Sequence, residues 1–299
     1  MKLSICVITM NRATQLKEAL ESCLSCDLPK ETEFVIIDNA SNDDTEQTVH
    51  ATLKDCGYSY YYEKLAENLG AGKGRNYAFA KARGEYIYSL DDDAFICSTC
   101  YKTFFTKAID ILNENDNIIS LTTQIYDTAW KCNRITSQKI KISDDVYKLS
   151  YICEGSNFLR RDFFGTPPYF PNIYGYEALP LLLEIFDTGK YNCFCSSLLA
   201  IHNPTVNKWD YSNEKNYWLL IKEVALPYAI KKMMYPRIFL PILFLAYVRR
   251  SHKYLNAIPN AKKEAKQIIS ETLVQYPIDH RIKIRTVIKM FKDFGLSIF

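Results

Sequence analysis

Three consecutive carboxylates, Asp91, Asp92 and Asp93, are the sharpest chemical feature of this 299-residue chain. They close one apolar run, Ile87-Tyr88-Ser89-Leu90, and open onto another, Ala94-Phe95-Ile96. Buried carboxylates lose hydration and repel one another, so a trio in this setting needs a counter-charge. Mg2+ or Mn2+ meets that need, because both take carboxylate oxygen and leave positions for substrate phosphate. The plain alternative is a solvated acidic turn, which the flanking apolar runs disfavour. A second feature, Gly70-x-Gly72-x-Gly74, has only a loose likeness to a phosphate loop. Lys73 is followed by Gly74, where a P-loop carries Ser or Thr. A loop over 70–74 with close backbone approach, leading into a helix, accounts for these glycines. Cys23-x-x-Cys26 and Cys97-x-x-Cys100 have zinc-ligand spacing. Reduced, small apolar core residues are the better reading of the ten cysteines.

The elements that position these groups alternate in type. Leu3–Thr9 and Glu33–Asp38 are continuous apolar runs, as expected of strands buried on both faces. Between them lies a helix with Leu16, Ala19, Leu20 and Leu24 on one face, capped by Asn11 or Thr14. A second helix runs to about Cys56, Tyr58–Tyr62 is a third strand, Arg75–Arg83 a third helix and Glu85–Leu90 a fourth strand. Such alternation predicts parallel βαβ units, whose ligands bind beyond the carboxyl ends of the strands. Polar clusters fall at those ends: Thr9-x-Asn11-Arg12, Asp38-Asn39, Asn68 and Asp91 to Asp93. After residue 100 the alternation weakens. Tyr101–Leu112 and Tyr176–Thr188 read as helices, and Ile118–Ile125, Tyr147–Leu159 and Tyr191–His202 as strands. From about Lys215 the chain reads as helices broken by prolines.

Composition narrows the class. With 48% hydrophobic and 24% charged residues, the chain can build a sizeable core and is not disordered. No apolar run approaches the roughly 20 residues of a membrane span, and the N-terminus lacks the pattern of a signal peptide. A cytoplasmic protein is expected. The net charge of +3 hides an asymmetry: Arg249 to Phe299 holds 11 Lys/Arg and 4 Asp/Glu, a net +7. The remainder carries 26 and 30, a net −4. A slightly acidic body with a basic tail does not suit nucleic acid and points to an anionic surface at one end of the molecule.

Taken together, these segments resemble the inverting glycosyltransferases of family 2, which have the GT-A fold. The likeness lies in Ser4-Ile5-Cys6-Val7-Ile8-Thr9-Met10-Asn11-Arg12, in Val35 to Thr45, in Glu67-Asn68-Leu69-Gly70 with Gly74-Arg75-Asn76, and in Gly84-Glu85-Tyr86-Ile87 leading to Leu90-Asp91-Asp92-Asp93-Ala94. It implies an α/β GT-A domain over 1–212, with a mostly parallel central sheet. The donor half would be about 1–98, the acceptor half about 99–212, and 213–299 a helical, basic C-terminal region. It also implies that Thr9, Asn11, Arg12 and Asn68 border the donor, that Asp38 and Asn39 meet its base, and that Arg75 approaches base and phosphates. Asp91 would lie on the ribose side. Asp93 and Asp92, with His202, would hold Mn2+ or Mg2+, and Asp92 would also face the donor.

Inversion needs a base that deprotonates the acceptor hydroxyl during attack. The resemblance places it at Glu177, after Tyr174-Gly175-Tyr176, with Ala178 where a second carboxylate is usual. A helix N-terminal Glu favoured by the dipole is the plain reading. Gly155, Ser156 and Asn157 would line the sugar pocket. The implied donor is a UDP-, dTDP- or GDP-sugar and the acceptor a glycan or a lipid-linked glycan, as in bacterial polysaccharide biosynthesis. The rivals are a nucleotidyltransferase that makes nucleotide sugars, disfavoured by the absence of a Gly-rich loop after the first strand, and a non-catalytic relative. Ile238 to Val248 is an apolar run with basic flanks that is too short to span. It either lies on the anionic inner face of a membrane or packs on the body or on a second copy as a homodimer.

Overall fold

β1 (Leu3–Thr9) and β2 (Thr32–Asp38) bury almost every side chain, the signature of parallel strands covered on both faces. The computed structural model describes residues 2–136, 140–171, 175–205 and 210–299. Around these strands come α1 (Ala13–Leu24), α2 (Thr45–Leu53), β3 (Ser59–Lys64), α3 (Gly70–Lys81) and β4 (Tyr86–Asp91). Next follow β5 (Ala94–Ile96), α4 (Phe104–Glu114), β6 (Ile118–Asp127), β7 (Cys132–Asn133), β8 (Lys141–Ser143), β9 (Val146–Lys148) and β10 (Ser156–Arg160). The chain continues through α5 (Leu179–Asp187), β11 (Tyr191–His202), α6 (Tyr217–Met234), α7 (Leu240–Leu255), α8 (Ala261–Gln275) and α9 (Ile284–Phe294).

The strands form one sheet in the order β3-β2-β1-β4-β10-β6-β11-β9-β8, with β5 on β11 and β7 on β6. β3, β2, β1 and β4 are mutually parallel, and so are β6 and β11. β10 runs antiparallel between β4 and β6. This is the expected α/β architecture with a mostly parallel centre and C-terminal helices. The strand order reverses at β1, where β2 and β4 leave on opposite sides, and a crevice for ligands opens at such a switch point. Register sharpens the point: Thr9 pairs with Asp38, Ile8 with Asp91, and Asp127 with His202. The polar ends of five strands therefore meet at one edge.

Several local readings change in the structure. The glycine segment is not a loop: α3 begins at Gly70, and Gly70, Gly72 and Gly74 are all buried in it. A Cβ on Gly74 would sit 2.9 Å from Ile8 Cγ2, so this glycine lets α3 settle on β1. Neither Asn11 nor Thr14 caps α1. Asn11 adopts φ 54°, a left-handed state Asn tolerates, and the free Ala13 N–H donates to Asp43 at 3.0 Å. The strand expected over Tyr147–Leu159 is two strands, β9 on β11 and β10 between β4 and β6. The cysteines are free and half of them are buried; burial pushes the Cys23 thiol up to about 12. The core reading of Cys23 and Cys100 holds.

The C-terminal helices share a core with α5. Leu182, Leu183 and Phe186 pack with Ile230, Met233, Met234, Leu243, Val287 and Met290. Asp187 at the end of α5 accepts from Lys283 N at 2.6 Å and Thr286 Oγ1 at 2.7 Å, which fixes the start of α9. Among the described residues no helix is long and apolar enough to cross a membrane.

The lower end of the sheet depends on contact without a side chain. Gly84 N donates to Ser4 Oγ at 2.8 Å, and Ser4 Oγ donates to the buried Glu33 at 2.6 Å. A Cβ on Gly84 would lie 2.5 Å from Ser4 N and 2.7 Å from the Leu3 carbonyl carbon. Backbone cannot swing aside as a side chain can. Gly84→Ala is expected to cost about 1–3 kcal/mol, the range for overpacking. The measurement is the urea midpoint, which should fall at constant m-value; an unmoved midpoint would contradict this close packing.

Candidate active site

The site is built from strand ends upward. Asp91 closes β4, and Asp92 and Asp93 form the tight turn before β5. Two guanidinium groups and one imidazole compensate these carboxylates. Arg12 Nη1 lies 2.6 Å from Asp92 Oδ1 and 2.7 Å from Asp93 Oδ2. Burial pushes Asp92 up to about 6 against the pull of Arg12. Burial also opposes the charge on Asp93, but the His202 hydrogen bond, the His202 charge and Arg12 outweigh it and hold Asp93 below its ordinary value.

His202 ends β11 and bridges two carboxylates, with Nε2 3.2 Å from Asp93 Oδ1 and Nδ1 3.0 Å from Asp127 Oδ2. Arg134 holds the same Asp127 oxygen through Nη2 at 2.7 Å and Nε at 3.0 Å. Burial raises and these hydrogen bonds lower the Asp127 carboxyl, and the balance leaves it lowered.

Arg75, on α3, joins the two sides of the site. Its side chain is 11% exposed, and it places Nη2 2.7 Å from Asp91, Nη1 2.7 Å from Glu177 and Nε 3.4 Å from Glu154. Burial works against its charge, but the three carboxylates overcome that and raise it. Glu154 is pushed up to about 7 by burial, with Arg75 opposing. Asn76, next on α3, pins the loop before Glu177 by exchanging two hydrogen bonds with the Tyr169 backbone, at 2.7 and 2.8 Å. Glu177 precedes α5, whose helix starts at Leu179, two residues later than Glu177 itself and three after the expected start at Tyr176. Tyr174, part of the expected approach, lies outside the described residues.

The other candidate residues fall as follows. Thr9 and Asn39 lie buried at the carboxyl edge. The Asp38 oxygens accept from Ser41 N at 2.7 Å and Tyr62 OH at 2.8 Å, so Asp38 orders the loop that follows β2. Asn11 Oδ1 accepts from Asn42 N at 2.7 Å, joining the loops after β1 and β2. Asn68 Oδ1 accepts from Gly70 N at the start of α3. Gly155 lies against Asp91: a Cβ there would be 3.3 Å from Asp91 Oδ2. Ser156 and Asn157 are fully buried inside the sheet. Ser156 Oγ bonds Tyr88 and Thr123, and Asn157 Oδ1 accepts from Ser120 and Thr122. Of that trio Gly155 lies directly against a site carboxylate.

Among the described residues, Asp91, Asp93 and His202 offer ligand atoms within 4.8 Å of one another. Asp92 lies outside this cluster, and its carboxylate meets Arg12, as that of Asp93 also does. Two carboxylates and an imidazole fit Mn2+ or Mg2+ in donor chemistry, and the surplus of buried carboxylates gives a cation a reason to bind. Asp127, Arg134 and Glu154 escaped the sequence reading. Asp127 was two residues past the expected end of its strand, and Glu154 immediately precedes the glycine that was noticed.

Comparisons with known proteins agree with this geometry. The sequence profile of Glycosyl transferase family 2 matches residues 4–165, more than half of the chain. The chain is similar to the GalNAc(5)-diNAcBac-PP-undecaprenol beta-1,3-glucosyltransferase of Campylobacter jejuni, 33% identical over 107 residues. That match covers 36% of this chain and only 34% of the relative. In structure it is similar to Staphylococcus aureus TarS in complex with UDP-GlcNAc, with TM-score 0.64 at 17% identity, covering 100% of this chain and 89% of that one. It is also similar to the mannosyltransferase PcManGT of Pyrobaculum calidifontis in complex with GDP-Man and Mn2+, with TM-score 0.58 at 15% identity, covering 100% and 81%. The ordered motifs, the GT-A-like sheet and the profile match together make this chain a member of glycosyl transferase family 2.

Proposed function

We propose that the chain is a metal-assisted inverting glycosyltransferase that moves a sugar from a nucleoside diphosphate sugar to a hydroxyl of a glycan or lipid-linked acceptor. The observation that carries this reading is the Arg75 fork, which ties Asp91 on the donor side to Glu177 on the acceptor side at 2.7 Å each. The donor is read as a UDP-, dTDP- or GDP-sugar, supported by the UDP-GlcNAc complex of TarS and the GDP-Man complex of PcManGT. The name of the Campylobacter relative supports a lipid-linked acceptor.

In this mechanism the acceptor oxygen attacks the anomeric carbon while the bond from that carbon to the diphosphate oxygen breaks. Glu177 takes the acceptor proton, and the nucleoside diphosphate leaves with the bonding electrons. Arg75 sits beside both events and offers charge to the departing phosphate as the reaction proceeds. Asp91, Asp93 and His202 would hold the divalent cation, whose charge offsets that of the diphosphate. Arg12 holds Asp92 and Asp93 in place.

The C-terminal region is read as the face that meets an anionic membrane. Ile238, Phe244, Leu245 and Val248 at α7 and Ile284, Ile288 and Phe291 on α9 are exposed. Phe299 joins the two helices, its ring 6.1 Å from Phe239 and 6.3 Å from Phe291. Arg249, Lys253, Arg285, Lys289 and Lys292 are exposed beside them. Arg250 is different: it donates to the Glu223 carbonyl at 3.3 Å and props α7 on α6.

Three outcomes test the reading. Asp93→Ala should abolish transfer and remove the Mn2+-dependent rise in melting temperature with UDP- or GDP-sugars, since ligand bound to the native state is what stabilises it. Undiminished activity of this variant in EDTA would remove the metal from the mechanism. Glu177→Gln keeps shape and loses proton acceptance; kcat should fall about 10²–10⁴-fold while donor binding holds, and wild-type turnover would exonerate Glu177. In co-sedimentation, vesicles of anionic lipid should bind the protein at low salt and release it as salt rises, each basic residue being worth about 1 kcal/mol. Arg249→Gln with Lys253→Gln should weaken that binding, and indifference of the wild type to anionic vesicles would sink the membrane reading.

A further inference from the structure

The hairpin that leaves the acceptor side of the sheet carries an aromatic ring with no role in the mechanism above. β6 and β7 pair Tyr126 with Asn133 and Asp127 with Cys132, and the turn between them presents Trp130, 42% exposed. This turn is not a loose excursion. Asp127 Oδ1 accepts from Ala129 N at 2.9 Å and from Trp130 N at 3.0 Å. Thr128 N donates to the His202 carbonyl at 3.0 Å, and its hydroxyl bonds Asn203 at 2.9 Å. Arg134, held by Asp127 and His202, lies over the indole with its guanidinium carbon 5.3 Å from the ring centroid. The same Asp127 therefore orients His202, fixes Arg134 and pins the backbone of Trp130.

We infer that Trp130 is a stacking platform for a pyranose ring of the acceptor. The inference rests on the glycosyltransferase reading for the word acceptor, and on geometry for the sugar. One ring face is covered by Arg134, so the indole is already held in place and loses little freedom when a ligand arrives. The remaining surface is a flat apolar face at the rim of a charged site, which suits the C–H face of a sugar whose hydroxyls stay in water. Strand order sets it apart from the strand ends that carry the base-side residues Asp38 and Asn39, and the acceptor is the sugar assigned to it. The nucleotide-side strands β3, β2, β1 and β4 lie on one side of β10, and β6 with its hairpin lies on the other.

The test uses the whole chain and two probes, methyl β-D-glucopyranoside and its 2-acetamido-2-deoxy analogue. In saturation-transfer NMR, wild type and Trp130→Phe should pass saturation to the C–H protons of a glycoside ring, and Trp130→Ala should not. Where transfer to these glycosides is measurable, Trp130→Ala should raise the acceptor KM about tenfold, the order of one aromatic contact. The donor KM should stay in place, and Trp130→Phe should recover most of the loss. Equal saturation transfer in Trp130→Ala, or an acceptor KM within twofold of wild type, overturns the platform. Trp130-dependent saturation transfer in a protein that turns over no nucleotide sugar upholds the sugar site and overturns the transferase reading instead.

Discussion

Like charges at the end of a buried strand are the constraint from which the site follows. Asp91, Asp92 and Asp93 leave β4 in succession, and Glu154, Glu177 and Asp127 approach the same edge. Such a group is tolerated only where cations meet it closely. Arg12 takes Asp92 and Asp93, Arg75 takes Asp91, Glu154 and Glu177, and Arg134 takes Asp127, which the His202 ring also meets. Each partner comes from a different part of the chain, so satisfying the carboxylates also fixes the relative positions of the β1 loop, α3, the β6 hairpin and β11.

Topology makes this convergence possible. Parallel strands end on the same edge, so residues distant in sequence finish level with one another, as the pairing of Thr9 with Asp38 and of Asp127 with His202 illustrates. The antiparallel β10 adds what parallel strands cannot: its beginning, not its end, lies at that edge, and Glu154 and Gly155 enter there. Gly155 leaves room for the Asp91 carboxylate, and Gly74 lets α3 approach β1 closely. Small residues thus set how near the charged ones can come.

The helical region is coupled to the site through α5. Glu177 immediately precedes this helix, and the opposite end of α5 is tied by Asp187 to the start of α9. The apolar face of α5 is buried among α6, α7 and α9. A helix anchored at its far end and along one face holds the residue at its near end, so the C-terminal helices contribute to where Glu177 sits as well as to the surface they expose.

Much of this was legible from residue types and order alone. Period and composition marked the buried strands β1, β2 and β4, because a strand covered on both faces has no polar alternation to hide it. The family likeness of the first third singled out Asp91 to Asp93 and Arg75, and a separate likeness at Gly175-Tyr176-Glu177 singled out Glu177. The sequence could not determine which carboxylate would face which cation. Asp91 rather than Asp92 lies with Asp93 and His202, although Arg12 meets Asp92 and Asp93 alike. Nor could it show that Gly70 begins a helix, that Asp43 caps α1 from another loop, or that Ser156 and Asn157 bond side chains of the neighbouring strands. Asp127, Arg134 and Glu154 carry no local pattern at all. Their importance arises from pairing across distant strands, and that is decided by packing of the whole sheet rather than by any stretch of chain read by itself.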